Sequence, residues 1–244
     1  LLNTRYITNG QASPFISTAH VDVLHLARRL WRDRLPSRAL GYLETHILGA
    51  GRTEEDVPGW LIPSLYFDYL RSGDARPLKG IFYHNAMDIL TLAALFSHTA
   101  YLLDNPLNGG IEHGVDLVAM GKLFEDLGEV EQAVQLYEHG LQRDLPEEAY
   151  TTAVQRLAAI HRRNGQMARA VTLWREAAAY GHIYAHVELA KFYEHRRRDY
   201  AEAVQWTETA LALVSASDCP ASTRRRWRPE LKHRLARLRR KLEK

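Results

Sequence analysis

The residues Tyr83-His84-Asn85-Ala86-Met87-Asp88 stand at the head of a long apolar stretch and set a histidine four positions before a lone aspartate. On a helix, residues four apart are offset by about 40° and share a face. A carboxylate with an imidazole one turn away suits a metal-bound water. The carboxylate holds the cation and the imidazole takes the proton. The same spacing also suits a plain hydrogen-bonded polar patch on a packed helix, because such pairs are common. Tyr83, by contrast, points about 140° away from Asp88 on a regular helix.

The elements that must position this pair are mostly helical. Alternation over 19–24 predicts a short strand that leads into a helix over 24–32. Asp22 is read there as a cap whose carboxylate accepts from backbone amides, with a ligand role as the alternative. Ser37 predicts the start of a helix that runs to Leu48 and stops at Gly49. Glu44 lies inside that helix, and Asp56 precedes a Pro58-Gly59 turn, so both are read as structural. Pro63 suits the first turn of a helix through Leu70. A long apolar helix is expected over 78–103, with a break near Gly80. The strand-like residues lack partners, which points to a missing half. The opening Leu1, Leu2, Arg5 and Tyr6 run into the helix stop Asn9-Gly10, so Leu1 is read as a cut within a helix.

Beyond the breaker-rich linker at 104–115, residues 116–214 repeat with a period of about 34. One frame is Met120-Gly121, Phe124, Gly128, Ala133, Tyr137, Gly140. The next is Leu157-Ala158, His161, Gly165, Ala170, Trp174, Ala177. The third is Leu189-Ala190, Tyr193, Ala203, Thr207, Ala210. Small residues at matched positions let paired helices approach, and aromatics fill the gaps between successive pairs. The pattern resembles tetratricopeptide repeats, and its third unit resembles the related Sel1-like repeats. Three units are about the minimum for a stable stack.

The 244 residues are 46% hydrophobic and 25% charged, ordinary for a globular protein of one or two domains. The single cysteine, Cys219, excludes internal disulfides and Cys-rich zinc sites, and fits a reducing, cytoplasmic setting. No signal peptide is visible, and no membrane association is expected. The nearest approach to a bilayer span, 81–103, is interrupted by His84, Asn85, Asp88 and His98. The net charge of +3 hides an asymmetry. Residues 224–244 hold eleven Lys/Arg against Glu230 and Glu243, so they carry +9 and residues 1–223 carry −6. Within 222–244, Leu231, Leu235, Leu238 and Leu242 form one apolar stripe, which predicts a helix capping the repeat stack. Arg224, Arg225, Arg226 and Arg228 are the candidates for sequence-independent phosphate contacts from that helix. His25, His46, His113, His139, His161, His182 and His195 share no metal-ligand spacing and are read as structural or exposed.

Several ordered motifs carry a further resemblance. They are the run His20-Val21-Asp22-Val23-Leu24-His25-Leu26-Ala27-Arg28-Arg29-Leu30-Trp31, then Leu43-Glu44, Leu48-Gly49, Arg52, Asp56-Val57-Pro58-Gly59, Ile62-Pro63, Tyr66 and Tyr69-Leu70. His84-Asn85 and Asp88-Ile89-Leu90 complete the order. Residues 1–103 thereby resemble the C-terminal half of the YprB-like ribonuclease H-like domain, in the DEDD exonuclease superfamily. In that bacterial family a tetratricopeptide segment can follow the nuclease domain. The resemblance implies a mainly α chain: the helical C-terminal half of an α/β nuclease domain with at most one short strand, then an α-solenoid.

The resemblance also implies a metal-dependent 3′→5′ exonuclease acting on nucleic acid, DNA or RNA, through two Mg²⁺ or Mn²⁺ ions held by four acids. Asp88 would be the fourth acid and His84 the catalytic base. Three acids would lie outside the chain, so the isolated chain is expected to be inactive. The standard superfamily forms place tyrosine with three residues, or histidine with four, before the last aspartate. Here the two residue types are exchanged, since His84 has three and Tyr83 has four. The repeat surface is expected to take a protein partner. The alternatives are a non-catalytic repeat scaffold on a degenerate nuclease fold, and a nucleic-acid-binding module acting through the basic helix.

Overall fold

The structure, a computed structural model, describes residues 2–53 and 56–243. Leu1, assigned to the opening helix, and Lys244, in the basic tail, lie outside the described residues. The chain divides into two compact units, Leu1–Ile111 and Glu112–Lys244. Among the described residues there are twelve α-helices and no strand.

The first unit contains α1 (Leu2–Thr8), α2 (Val23–Trp31), α3 (Leu40–His46), α4 (Ile62–Ser72) and α5 (Lys79–Asp104). The expected strand at 19–24 is absent. Among the described residues no neighbouring strand is present to satisfy its backbone, and Asp22 instead caps α2 by accepting the Leu24 amide at 2.9 Å. The helix expected from Ser37 to Leu48 is shorter. The Ser37 hydroxyl accepts the Ala39 amide in a turn, and α3 begins only at Leu40. The break expected near Gly80 does not occur, because α5 runs on from a 3₁₀ turn at Arg76–Leu78.

Helix α5 buries one stripe, Thr91, Leu95, Thr99 and Leu102, at intervals of four, four and three. It packs against α2 and α3, which bury Ala27, Leu30, Trp31 and Leu43. Trp31 stacks on His98. His84 and Asp88 extend the stripe backwards by the same intervals, so the polar pair is carried on the face that meets α3. Much of the remaining surface is apolar: Trp60, Phe67, Phe82, Ile89, Leu90 and Phe96 are all exposed. One expectation needs correcting here, that His84, Asn85, Asp88 and His98 leave 81–103 short of the length and apolarity of a bilayer span. The 29-residue helical stretch Arg76–Asp104 is long and apolar enough to cross a bilayer, and 22% of its most apolar stretch is buried.

The second unit is three helix hairpins and a closing helix. The hairpins are α6 (Gly114–Leu127) with α7 (Val130–Leu141), α8 (Glu147–Arg163) with α9 (Met167–Ala179), and α10 (Ile183–Phe192) with α11 (Tyr200–Ser215). Gly128 ends α6 in the left-handed region at φ 85°, its amide returning to Glu125 and Phe124 carbonyls. Gly121 lets the fully buried ring of Tyr137 lie directly on the α6 backbone. The Tyr137 hydroxyl donates to Glu125 Oε2 at 3.0 Å, and Arg156 and Arg163 from the next hairpin donate to the same carboxylate at 3.0 Å each. Burial works against ionising Glu125, but the two arginines outweigh it and hold the carboxyl below its ordinary range.

The basic tail forms α12 (Ala221–Leu242), which packs on α11. Leu231 and Leu238 are fully buried, Leu231 in a cluster with Val187, Ala210 and Val214 and Leu238 in the larger cluster that includes Ala203. A π-helical turn at Tyr193–Arg197 presents Glu194 to this helix with no side-chain exposure. Arg234 reaches Glu194 Oε2 at 2.9 Å, Arg237 reaches it at 2.8 Å, and Lys241 reaches Oε1 at 3.0 Å. Burial opposes ionisation of Glu194, yet the bonds from Arg237 and Lys241 prevail and pull its carboxyl down to about 2.

Two outcomes follow from this packing. A Cβ at position 121 would stand 2.8 Å from the Tyr137 ring, so Gly121→Ala should cost about 1–3 kcal/mol in urea unfolding; a neutral result would mean that the ring can move. The Glu194 contribution is complete above the ordinary glutamate value of 4.5 and is lost as pH falls toward about 2. Glu194→Gln should therefore destabilise the second unit by about 3 kcal/mol at neutral pH. The difference from wild type should shrink across that acid window in melts followed by circular dichroism.

Candidate active site

The site is built where α5 meets α3 and the loop between α3 and α4. Because α5 starts at Lys79, His84 and Asp88 both lie inside regular helix and share a face. His84 Nε2 is 3.5 Å from Asp88 Oδ2. Tyr83 points elsewhere, and its hydroxyl accepts the Thr53 amide at 3.1 Å. The tyrosine thereby anchors the loop that supplies Arg52, while the histidine faces the aspartate.

The centre of the cluster is the Arg52 guanidinium, 14% exposed. Its Nε donates to Glu44 Oε2 at 2.8 Å, Nη1 to Asp56 Oδ2 at 3.4 Å, and Nη2 to Asp88 Oδ1 at 2.6 Å. Burial would lower the guanidinium pKa, but Glu44 and Asp88 more than reverse that and raise it. The other oxygen of Asp56, Oδ1, lies 2.8 Å from His84 Nδ1. Burial tends to raise the Asp56 pKa, but the His84 contact and the Arg52 charge hold it below the ordinary carboxylate range. The reading of Glu44 and Asp56 as parts only of a helix and a turn is therefore incomplete, because both converge on the candidate pair. Arg52 stands in the sequence reading only as one of the ordered motif residues, with no role at the site. Its signal was the Arg52-to-Asp56 spacing of four and a glutamate set among apolar neighbours in α3, which needs a cation to be buried.

Asp22 lies outside this cluster. It caps α2, and its Oδ2 is 3.5 Å from His25 Nε2. The tail arginines occupy varied positions in α12. Arg224 donates to the Ala216 and Cys219 carbonyls and so closes the turn before the helix. Arg226 lies over the Trp227 ring, and Arg225, Arg226 and Arg228 are exposed.

A divalent cation finds only one corner of a site in these residues. Among the described residues no group of three or more His, Cys, Asp or Glu side chains is arranged to hold a metal ion. The three carboxylates instead converge on a guanidinium. Asp88 Oδ1 is occupied by Arg52, while Oδ2 of this 37%-exposed side chain has His84 Nε2 at 3.5 Å. One carboxylate oxygen available to solvent suits a single hard-cation contact.

Removing the central guanidinium leaves Glu44, whose side chain is 2% exposed, as a buried uncompensated acid. Arg52→Ala should therefore cost about 3–5 kcal/mol, read as a lowered urea midpoint. A loss below about 1 kcal/mol would show that the cluster does not hold the first unit together.

Comparison with known proteins agrees with this architecture. A profile of the RNase_H superfamily matches residues 1–100, and a tetratricopeptide repeat profile matches residues 117–149. The chain is 32% identical over 197 residues to the uncharacterized protein YprB of Bacillus subtilis (strain 168), across 79% of this chain and 47% of that protein. It thus spans about half the length of this curated relative. No solved structure matches significantly. Residues 1–100 are thus similar to the RNase_H superfamily and residues 117–149 to a tetratricopeptide repeat, and most of the chain is similar to about half of YprB.

Proposed function

We propose that this chain supplies one corner of a metal-dependent 3′→5′ exonuclease site acting on nucleic acid, together with a repeat region that takes a protein partner. The observation that carries the reading is the facing of His84 Nε2 and Asp88 Oδ2 within a segment similar to the RNase_H superfamily. That superfamily generally uses divalent metals. Mg²⁺ or Mn²⁺, when bound, would polarise the phosphodiester and make water a stronger nucleophile. Asp88 Oδ2 would be this chain's contact to it. His84 Nε2 would take the proton of the attacking water. Arg52 keeps Asp88 oriented by occupying its other oxygen. The remaining acids would come from parts of the fold beyond these 244 residues, so this chain alone would not cut. The exposed apolar residues of α4 and α5, among them Phe67, Phe82 and Phe96, suit packing against those same parts.

A groove of about 540 Å³ on the repeat unit, lined by Leu141, Leu157, His161, Arg169, Leu173 and Glu176 among others, suits a peptide of mixed character. The exposed Arg225 and Arg228 on α12 favour a further contact to phosphates.

The test uses the longer, YprB-length protein and a labelled single strand. Asp88→Asn should abolish Mn²⁺-dependent trimming while retaining strand binding. Charge reversal at Arg225 and Arg228 should weaken binding in a salt-dependent way. Undiminished trimming by the Asp88→Asn protein would refute the assignment.

A further inference from the structure

The second ring nitrogen of His84 has its own fixed partner, and that partner decides the tautomer. Asp56 Oδ1 lies 2.8 Å from Nδ1, and Arg52 Nη1 lies 3.3 Å from the same nitrogen. A lone pair on Nδ1 would accept from Arg52 but would face a carboxylate oxygen at 2.8 Å, a repulsive contact. A hydrogen on Nδ1 donates to Asp56, while Arg52 Nη1 turns to Asp56 Oδ2 at 3.4 Å. The shorter contact decides, so Nδ1 carries the hydrogen. In the neutral ring, Nε2 is then the bare nitrogen. It lies 3.5 Å from Asp88 Oδ2, too far for a hydrogen bond to hold it there. The ring is oriented from its Asp56 side.

We propose that Asp56 is a positioning residue that fixes His84 in the Nδ1–H tautomer and presents the Nε2 lone pair beside Oδ2 of Asp88. The use of that lone pair in catalysis rests on the nuclease reading; the tautomer does not. Asp56 is suited to the task because it is itself fixed. It is about four-fifths buried, and Arg52, also joined to Glu44 and Asp88, holds its second oxygen.

The experiment is a long-range ¹H–¹⁵N spectrum of the 244-residue chain labelled at histidine, taken at alkaline pH where imidazole is neutral. The His84 signals are assigned by their loss in His84→Gln. In wild type, His84 should show a protonated Nδ1 and a bare Nε2. Asp56→Asn keeps the side-chain shape. Its amide oxygen should turn to Arg52 and its NH₂ to the ring, which flips His84 to the Nε2–H form. Wild-type His84 in the Nε2–H form overturns the proposal, and so does an unchanged tautomer in Asp56→Asn. Asp56→Ala, checked for folding by circular dichroism, should also release the ring to the Nε2–H form. In the longer protein, Asp56→Asn should lower kcat by about 10²–10⁴-fold with little change in KM. A tautomer that follows Asp56, combined with undiminished turnover by His84→Gln, would sustain the positioning role and sink the nuclease role of His84.

Discussion

One buried guanidinium organises the first unit. Arg52 joins α3 through Glu44, its own loop through Asp56 and α5 through Asp88. A glutamate with almost no exposure is tolerable only when a charge partner sits against it. Arginine can serve three acids because its fork directs donors from different nitrogens, which a lysine ammonium on a flexible stem does not do. The stripe of α5 that packs on α2 and α3 therefore begins in ion pairs and continues as Thr91, Leu95, Thr99 and Leu102. The same contact that closes the small core also fixes the orientation of Asp88.

The second unit inverts this arrangement, with one acid serving several cations. Glu194 has no side-chain exposure and receives Arg234, Arg237 and Lys241 from α12. Arg239 meets Glu208 on α11. Part of the tail's positive charge is thus consumed inside the fold, where it attaches the closing helix. Arg225, Arg228 and Lys232 stand at intervals of three and four on the exposed side of α12. The net +9 of residues 224–244 is therefore a poor measure of the charge that a partner would meet.

Much of this was legible from spacing. The i,i+4 relation of His84 and Asp88 required only that α5 begin before His84, which it does at Lys79. The recurring Gly121, Ala133 and Tyr137 pattern requires close helix approach, and the Tyr137 ring does lie on Gly121. The leucine stripe of α12 likewise appears as buried Leu231 and Leu238. What spacing could not reveal was long-range convergence. Arg52 and Asp88 are 36 residues apart, and nothing local specifies that they meet. The strand at 19–24 failed for the converse reason: alternation is a local signal, whereas a strand needs a partner, and Asp22 offered the backbone a cap instead.

Tyr137 has a consequence that reaches past its own hairpin. Its ring seals α7 onto α6, while its hydroxyl joins the Glu125 carboxylate that Arg156 and Arg163 of the next hairpin also grip. Solenoids behave as chains of units whose cooperativity depends on the strength of coupling between neighbours. Here intra-hairpin packing and inter-hairpin charge share one side chain, so loosening either strains the other. The first hairpin should therefore melt with the second, and the end of the stack nearest α6 should not fray as an independent unit.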